Sequence, residues 1–197
     1  MADATGVKPN RRGVKSRELV LDAAERVMAR DGFEAATVAR VVEEAGIPMS
    51  SVYHYFGSKD GILLAVMERG AERFFADLPD ADERVGEPIE HLEVLIAQTV
   101  TTLELHPNFL RLLIGFAAQP PSDGDVHAVV GRVREMALTR LRKQIAIATG
   151  RNPRTREVDD RARFALAAVD GAFVASQTDS GVTLARILAP LPAALVA

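Results

Sequence analysis

The sequence predicts an all-α protein, with a small three-helix module at its N-terminal end and a larger helical bundle behind it. Three observations carry that expectation. Apolar residues recur at three- and four-residue spacing along most of the 197 residues, the period of a helix with one buried face. Alternating apolar and polar runs, the mark of a half-buried strand, are scarce. The periodic stretches are separated by short clusters of Pro, Gly, Asp and Ser, which break helices and make turns.

Taken in order, the first helix is read from Ser16 to Arg30, with Leu19, Ala23 and Val27 four apart beside Val20, Ala24 and Met28. Asp31-Gly32 ends it, because glycine accepts the left-handed backbone just past a helix. Thr37 is expected to cap a short helix through Glu44, whose apolar residues are Val38, Val41 and Val42. Ala45-Gly46-Ile47-Pro48 reads as a tight turn, followed by a two-turn helix from Ser50 to Phe56. After Gly57-Ser58, a longer helix from Lys59 to Asp77 carries Ile62, Leu63, Val66 and Met67 along one side. Leu78-Pro79-Asp80 and the acidic stretch to Pro88 mark a boundary. Helices are expected beyond it at 88–105, 108–118, 125–149, 156–178 and 182–189, about nine in all. Pro190 and Pro192 are expected to end any final helix early. The domain plan is a flexible basic arm over 1–15, a helix–turn–helix module over 16–58, and a connecting helix plus bundle over 59–197.

Composition removes several function classes. With no cysteine, disulfides, thiolate chemistry and cysteine-held metals are excluded. The four histidines are scattered, so no metal site and no cofactor is expected. Neither a glycine-rich phosphate loop nor a nucleophile elbow is present, which argues against an enzyme. No apolar run reaches the roughly 18–20 residues of a membrane span. The opening MADATGVKPNRRGVKSR has no apolar stretch behind its cations, so a cytoplasmic location is expected. A basic, apolar-periodic helix containing Arg132, Arg134, Arg140, Arg142 and Lys143 raises a membrane-surface alternative, against which a solvated outer face is the simpler reading.

The formal charge of −3 is unevenly placed. Lys8, Arg11, Arg12, Lys15 and Arg17 oppose only Asp3 within the first 17 residues, so an acidic body follows a basic start. Residues 18–60 hold Arg26, Arg30, Arg40 and Lys59 against eight acidic side chains. A face that meets phosphate must therefore be made by orientation, not by net charge.

The stretch from Thr37 to Phe56 has the pattern of a helix–turn–helix. Ala45 is small where two helices cross, Gly46 permits the positive φ that reverses the chain, and Ile47 fills the space between them. Val52 and Phe56, four apart, anchor the second helix. Met49, Ser50, Ser51, Tyr53 and His54 or Tyr55 are left to face outward, at the start of a helix that fits a major groove. Arg40, on the preceding helix, is a further candidate contact. None of these supplies the bidentate arginine or asparagine that best reads guanine or adenine, so phosphate contacts and DNA shape are expected to contribute much of the recognition.

Residues 16–67 resemble the DNA-binding module of the tetracycline-repressor (TetR) family of bacterial transcriptional regulators. The marks are Ala23-Ala24, Gly32-Phe33, Thr37-Val38, Ala45-Gly46-Ile47, Val52-Tyr53-His54-Tyr55-Phe56 and Ser58-Lys59, in that order and spacing. The resemblance implies that Thr37, Tyr53, Tyr55 and Lys59 contact phosphates while Met49, Ser50 and Ser51 approach bases. It also implies a repressor that binds double-stranded palindromic operator DNA as a homodimer and is released by a small molecule; an activator or a ligand-independent regulator is the alternative within the same class. Two positions depart from the family pattern. Val42 stands where a small alanine is preferred, and Gly61 replaces a better helix former at a cost of about 1 kcal/mol in propensity.

For the bundle, the resemblance implies a dimer interface and an effector pocket. Ala162, Ala165, Val169, Ala172 and Ala175 form a small-residue stripe that fits a neighbouring helix, within the subunit or across a two-fold axis. Leu184, Ile187, Leu188 and Leu191 are expected to be exposed in a monomer, which favours a partner. Candidate pocket residues are Phe75, His91, Leu95, Gln98, Thr102, Phe109, Phe116, Met136, Phe164, Asp170 and Phe173: apolar side chains interleaved with a few polar ones. Asp170 is either a ligand anchor or a member of an internal hydrogen bond. The mainly aliphatic composition favours a hydrophobic or amphipathic effector.

Overall fold

The computed structural model describes residues 11–119, 124–179 and 181–197. Ten helices and no strand occur among them. They are α1 (Arg11–Asp31), α2 (Val38–Ala45), α3 (Met49–Phe56), α4 (Lys59–Asp77), α5 (Pro88–Leu105), α6 (Pro107–Ala117), α7 (Asp125–Thr149), α8 (Arg156–Thr178), α9 (Leu184–Leu188) and α10 (Leu191–Val196). α1 begins at Arg11, so the end of the expected arm belongs to its first turns; residues 1–10, with Lys8, lie outside the described residues.

The local chemistry of the module follows its sequence. Thr37 caps α2, its hydroxyl accepting from the Arg40 backbone N–H at 3.3 Å. Gly46 stands at φ +64° and turns the chain into α3. Ser58 caps α4 by accepting from the Gly61 N–H at 3.0 Å. Gly61 has a steric role that propensity alone does not reveal: a Cβ there would lie 2.1 Å from the Phe56 carbonyl oxygen. Val42 is accommodated half-buried against the core.

One core runs through both parts of the molecule. Val20, Ala24 and Val27 of α1 pack with Val41, Val52 and with Ile62, Leu63, Val66 and Met67 of α4. The same cluster continues through Phe109 of α6, Val133 of α7 and Ala162 of α8 to Leu188 and Leu195. α4 and α6 approach closely at Gly70, where an added Cβ would lie 2.3 Å from the Phe109 ring.

Two C-terminal expectations change. Pro192 lies in the first turn of α10, where its missing N–H is not needed, so the helix forms through Val196. Leu184, Leu188 and Leu191 are buried and Ile187 is half-buried within the subunit, because α9 and α10 fold back on α5 and α8. The three leucines therefore offer no exposed surface to a partner. The alanine stripe of α8 is likewise used internally, with Ala162, Ala165 and Ala172 buried. The opposite face of α8 is the uncovered one: Phe164 and Val174 are 52% and 47% exposed, with exposed Ala167 and Gly171 between them.

Candidate nucleic-acid interface and bundle cavity

α3 presents one exposed face made of Met49, Ser50, Tyr53 and His54. Its other face is held down by Val52, which is fully buried, and by Phe56, over which the Arg17 guanidinium sits at 5.3 Å. Ser51 and Tyr55 are half-buried. Tyr55 is wedged between the rings of His54 and Phe56, 5.7 and 6.1 Å away. Of the two residues that competed for the outward position, His54 therefore takes it. Thr37 and Arg40 are exposed beside this face.

Lys59, at the first turn of α4, is not a free cation. Its Nζ donates to the Glu34 carbonyl at 3.1 Å and lies 4.2 Å from the centre of the Phe33 ring. Arg40 donates to Asp31 at 2.9 Å, and Asp31 also accepts from Arg30 at 2.8 Å. Arg26 and Arg30 both reach Glu44, at 2.7 and 3.4 Å. The Arg30 hydrogen bond is the main reason that the Asp31 carboxyl lies below its ordinary range, and the Arg26 bond does the same for Glu44. On the other side of α1, Arg69 of α4 is buried and holds Glu18, Asp22 and Glu25 at 3.1, 2.7 and 2.9 Å. Five of the eight acidic side chains within residues 18–60 are thus paired with arginine, which leaves the exposed face of α3 free of these carboxylates' unpaired charge.

The bundle encloses a cavity of about 130 Å³ bounded by α4 to α8 and α10. Its wall is aliphatic and aromatic, including Phe74, Leu78, Leu92, Leu95, Leu103, Leu110, Leu113, Val133 and Leu195. Polar groups are few: Thr99, Gln144, Arg140 and the Arg134–Asp170 pair, joined at 2.9 Å. Arg140 is fixed by the Phe75 carbonyl at 2.9 Å and by Asp80 at 3.2 Å, so its charge is satisfied by the protein.

Of the eleven residues proposed from sequence for a pocket, Leu95 and Asp170 line this cavity. Asp170 does so as the partner of Arg134, so it belongs to an internal ion pair. Phe75 and Met136 line an adjacent open groove on the outer side of Arg140. Phe109, Phe116 and Phe173 are core residues turned to other neighbours. Thr102 donates to the Asp77 carbonyl at 2.9 Å, and Gln98 is exposed. Phe164 lies on the uncovered face of α8. His91 is buried, its Nδ1 accepting from the Val85 N–H at 3.3 Å. Aromatic and polar residue types steered the sequence reading, whereas leucines and other aliphatic residues spread over α5 to α8 and α10 build most of the wall. Only the rotation of each helix about its axis distinguishes those leucines from the other core leucines.

The comparisons agree with this geometry. Residues 20–66 match the sequence model of the bacterial regulatory proteins, tetR family. The HTH-type transcriptional regulator BetI of Brucella suis is 27% identical over 169 residues, covering 86% of this chain and 81% of that one. The HTH-type transcriptional repressor AcnR of Corynebacterium efficiens is 40% identical over 73 residues, 37% of each chain. The transcriptional regulator FadR of Bacillus subtilis, solved in complex with stearoyl-CoA, has the same fold. It superposes with a TM-score of 0.67 at 19% identity, covering 91% of this chain and 97% of that one. A helix–turn–helix of this geometry, matched along residues 20–66, is the DNA-binding module of the bacterial regulatory proteins, tetR family, and here it is joined to a helical bundle of the same fold as the solved regulators.

Proposed function

We propose that the protein is a repressor that binds a palindromic DNA operator as a homodimer and leaves it when a small, largely hydrophobic molecule occupies the bundle cavity. The observation that carries this reading is α4. A single helix of 19 residues starts at Lys59 beside the recognition helix, enters the cavity wall at Phe74 and ends at Asp77. Packing against Phe74 and Leu78 then has a direct lever on the DNA-binding module. Met49, Ser50 and Ser51 approach bases, while Thr37, Arg40, Tyr53, His54, Tyr55 and Lys59 meet the backbone and groove edge. The name of AcnR supports a repressive sign. The aliphatic wall, with its charges already paired, supports an apolar ligand body, as does the acyl chain that the FadR structure holds.

The dimer is assigned to the uncovered face of α8, where Phe164, Ala167, Gly171 and Val174 allow two helices to pack across a two-fold axis. Selection of bound duplexes from random DNA tests the reading as a whole, because it yields the operator and its symmetry together; a sequence without two-fold symmetry, or no enrichment, would reject it. In parallel, sedimentation is expected to show a dimer that Phe164→Glu converts to a folded monomer. On the selected operator, Lys59→Ala should flatten the salt dependence of binding by about one unit in log–log slope. By linkage, a ligand that releases DNA must itself bind more weakly to the operator complex.

A further inference from the structure

Lys59 does not hold its place alone. Its ammonium lies over the Phe33 ring at 4.2 Å and donates to the carbonyl of Glu34 at 3.1 Å, both in the turn between α1 and α2. On the bundle side, Phe33 meets Phe116 of α6 edge-to-face, with ring centres 5.7 Å apart. Phe116 is buried, and Phe33 is half-buried. Three side chains from three segments thus make a continuous contact from the bundle to the start of α4. Of the three ammonium protons, the Glu34 carbonyl takes one and the ring face attracts the cation, which fixes the charge while leaving hydrogen-bonding capacity for an outside oxygen.

We propose that Phe116 is a positioning residue for DNA binding: through Phe33 it sets the ammonium of Lys59 where it meets the DNA backbone. The assignment rests on the reading of Lys59 as a backbone contact. A flexible lysine loses rotamer freedom when it pairs with phosphate, and the aromatic stack removes that freedom before DNA arrives. The bundle therefore contributes to operator affinity through a helix that has no residue in the recognition module. α6 also supplies Leu110 and Leu113 to the cavity wall, so the stack ends one turn from that site.

The test is a double-mutant cycle on the full chain with the selected operator duplex. Phe116→Leu and Phe33→Leu are each measured with Lys59 present and in a Lys59→Met background. Each leucine variant should weaken binding about three- to ten-fold when Lys59 is present, and by no more than about two-fold when it is absent. Phe33→Tyr, which keeps the ring, should restore near-parental affinity. Since Phe116→Leu also touches the core, Phe33→Leu interrupts the stack from its less buried end. NMR of the Lys59 side chain reports the stack without DNA: its ring-shifted methylene signals should move toward ordinary values in both leucine variants. Equal fold-losses in both backgrounds, or an unshifted Lys59 signal in the leucine variants, would overturn the relay while leaving the DNA reading intact. A Lys59→Met protein with unchanged affinity and salt slope would remove the backbone contact itself, and the relay with it.

Discussion

At the scale of single residues, two positions show how a neighbour reverses an intrinsic preference. Gly61 looks like a defect in the first turn of α4, and replacing it by alanine is worth about 1 kcal/mol on propensity alone. The Phe56 carbonyl, 2.1 Å from the position of any Cβ, changes the sign, because backbone rather than a movable side chain is in the way. Gly61→Ala is therefore expected to lower stability by about 1–3 kcal/mol in urea unfolding, the usual cost of overpacking. A stabilised variant would refute the clash. His91 is the second case. Burial, and then the positive charge of Arg84, lowers its pKa below the ordinary 6.5. The unfolded chain then binds the proton at a higher pH than the folded one. This contribution to stability is complete above about pH 6.5 and is lost as pH falls toward the folded value. His91→Gln should flatten that part of the pH profile. Identical losses in parent and variant between pH 7.5 and 5.5 would exclude His91 as its source.

At the scale of elements, α1 is fastened on its outer side to α4. Glu18, Asp22 and Glu25 lie four and three residues apart, on one face of α1, and all three converge on Arg69, with Arg73 also reaching Glu18. Arg69→Met leaves Glu25 without its cation and Glu18 and Asp22 with Arg73 alone, at 3.1 and 3.7 Å. Breaking a fully buried pair costs about 3–5 kcal/mol. Here the acids are 21–43% exposed and regain water, so the expected loss in denaturant unfolding is smaller, about 2 kcal/mol. A loss indistinguishable from zero would mean that apolar packing alone joins α1 to α4. This clamp was not legible in the sequence, because four charged residues on two helices acquire their meaning only from the facing of those helices. The helices themselves were legible. The Thr37 cap, the Gly46 turn and the bounds of α4, α5, α7 and α8 follow from capping, glycine and apolar period.

Across the whole molecule, the module could be read residue by residue because its turn, cap and anchor positions leave chemically distinctive side chains at fixed spacing. The cavity could not. Its wall is built from leucines and other aliphatics, the residues that the sequence uses throughout the core, and its polar pair, Arg134 and Asp170, lies on two helices far apart in the chain. The C-terminal leucines show the same limit from the other side, since an apolar stripe does not say whether its cover comes from the same chain or from another.

The unbroken core has a consequence for how the protein comes apart. The side chains that close the interior of the DNA-binding module, Ile62, Leu63, Val66 and Met67, belong to the helix that also enters the bundle. A fragment ending at Ser58 would expose Val20, Val27, Val41 and Val52, so the module is not a portable unit that can be grafted elsewhere. Heating should accordingly give one calorimetric transition, with van't Hoff and calorimetric enthalpies in agreement per cooperative unit. Two resolved transitions would show that the shared helix does not bind the two halves into one folding event. Recognition and sensing then draw on a common reserve of stability, so mutations that loosen one half are felt in the other.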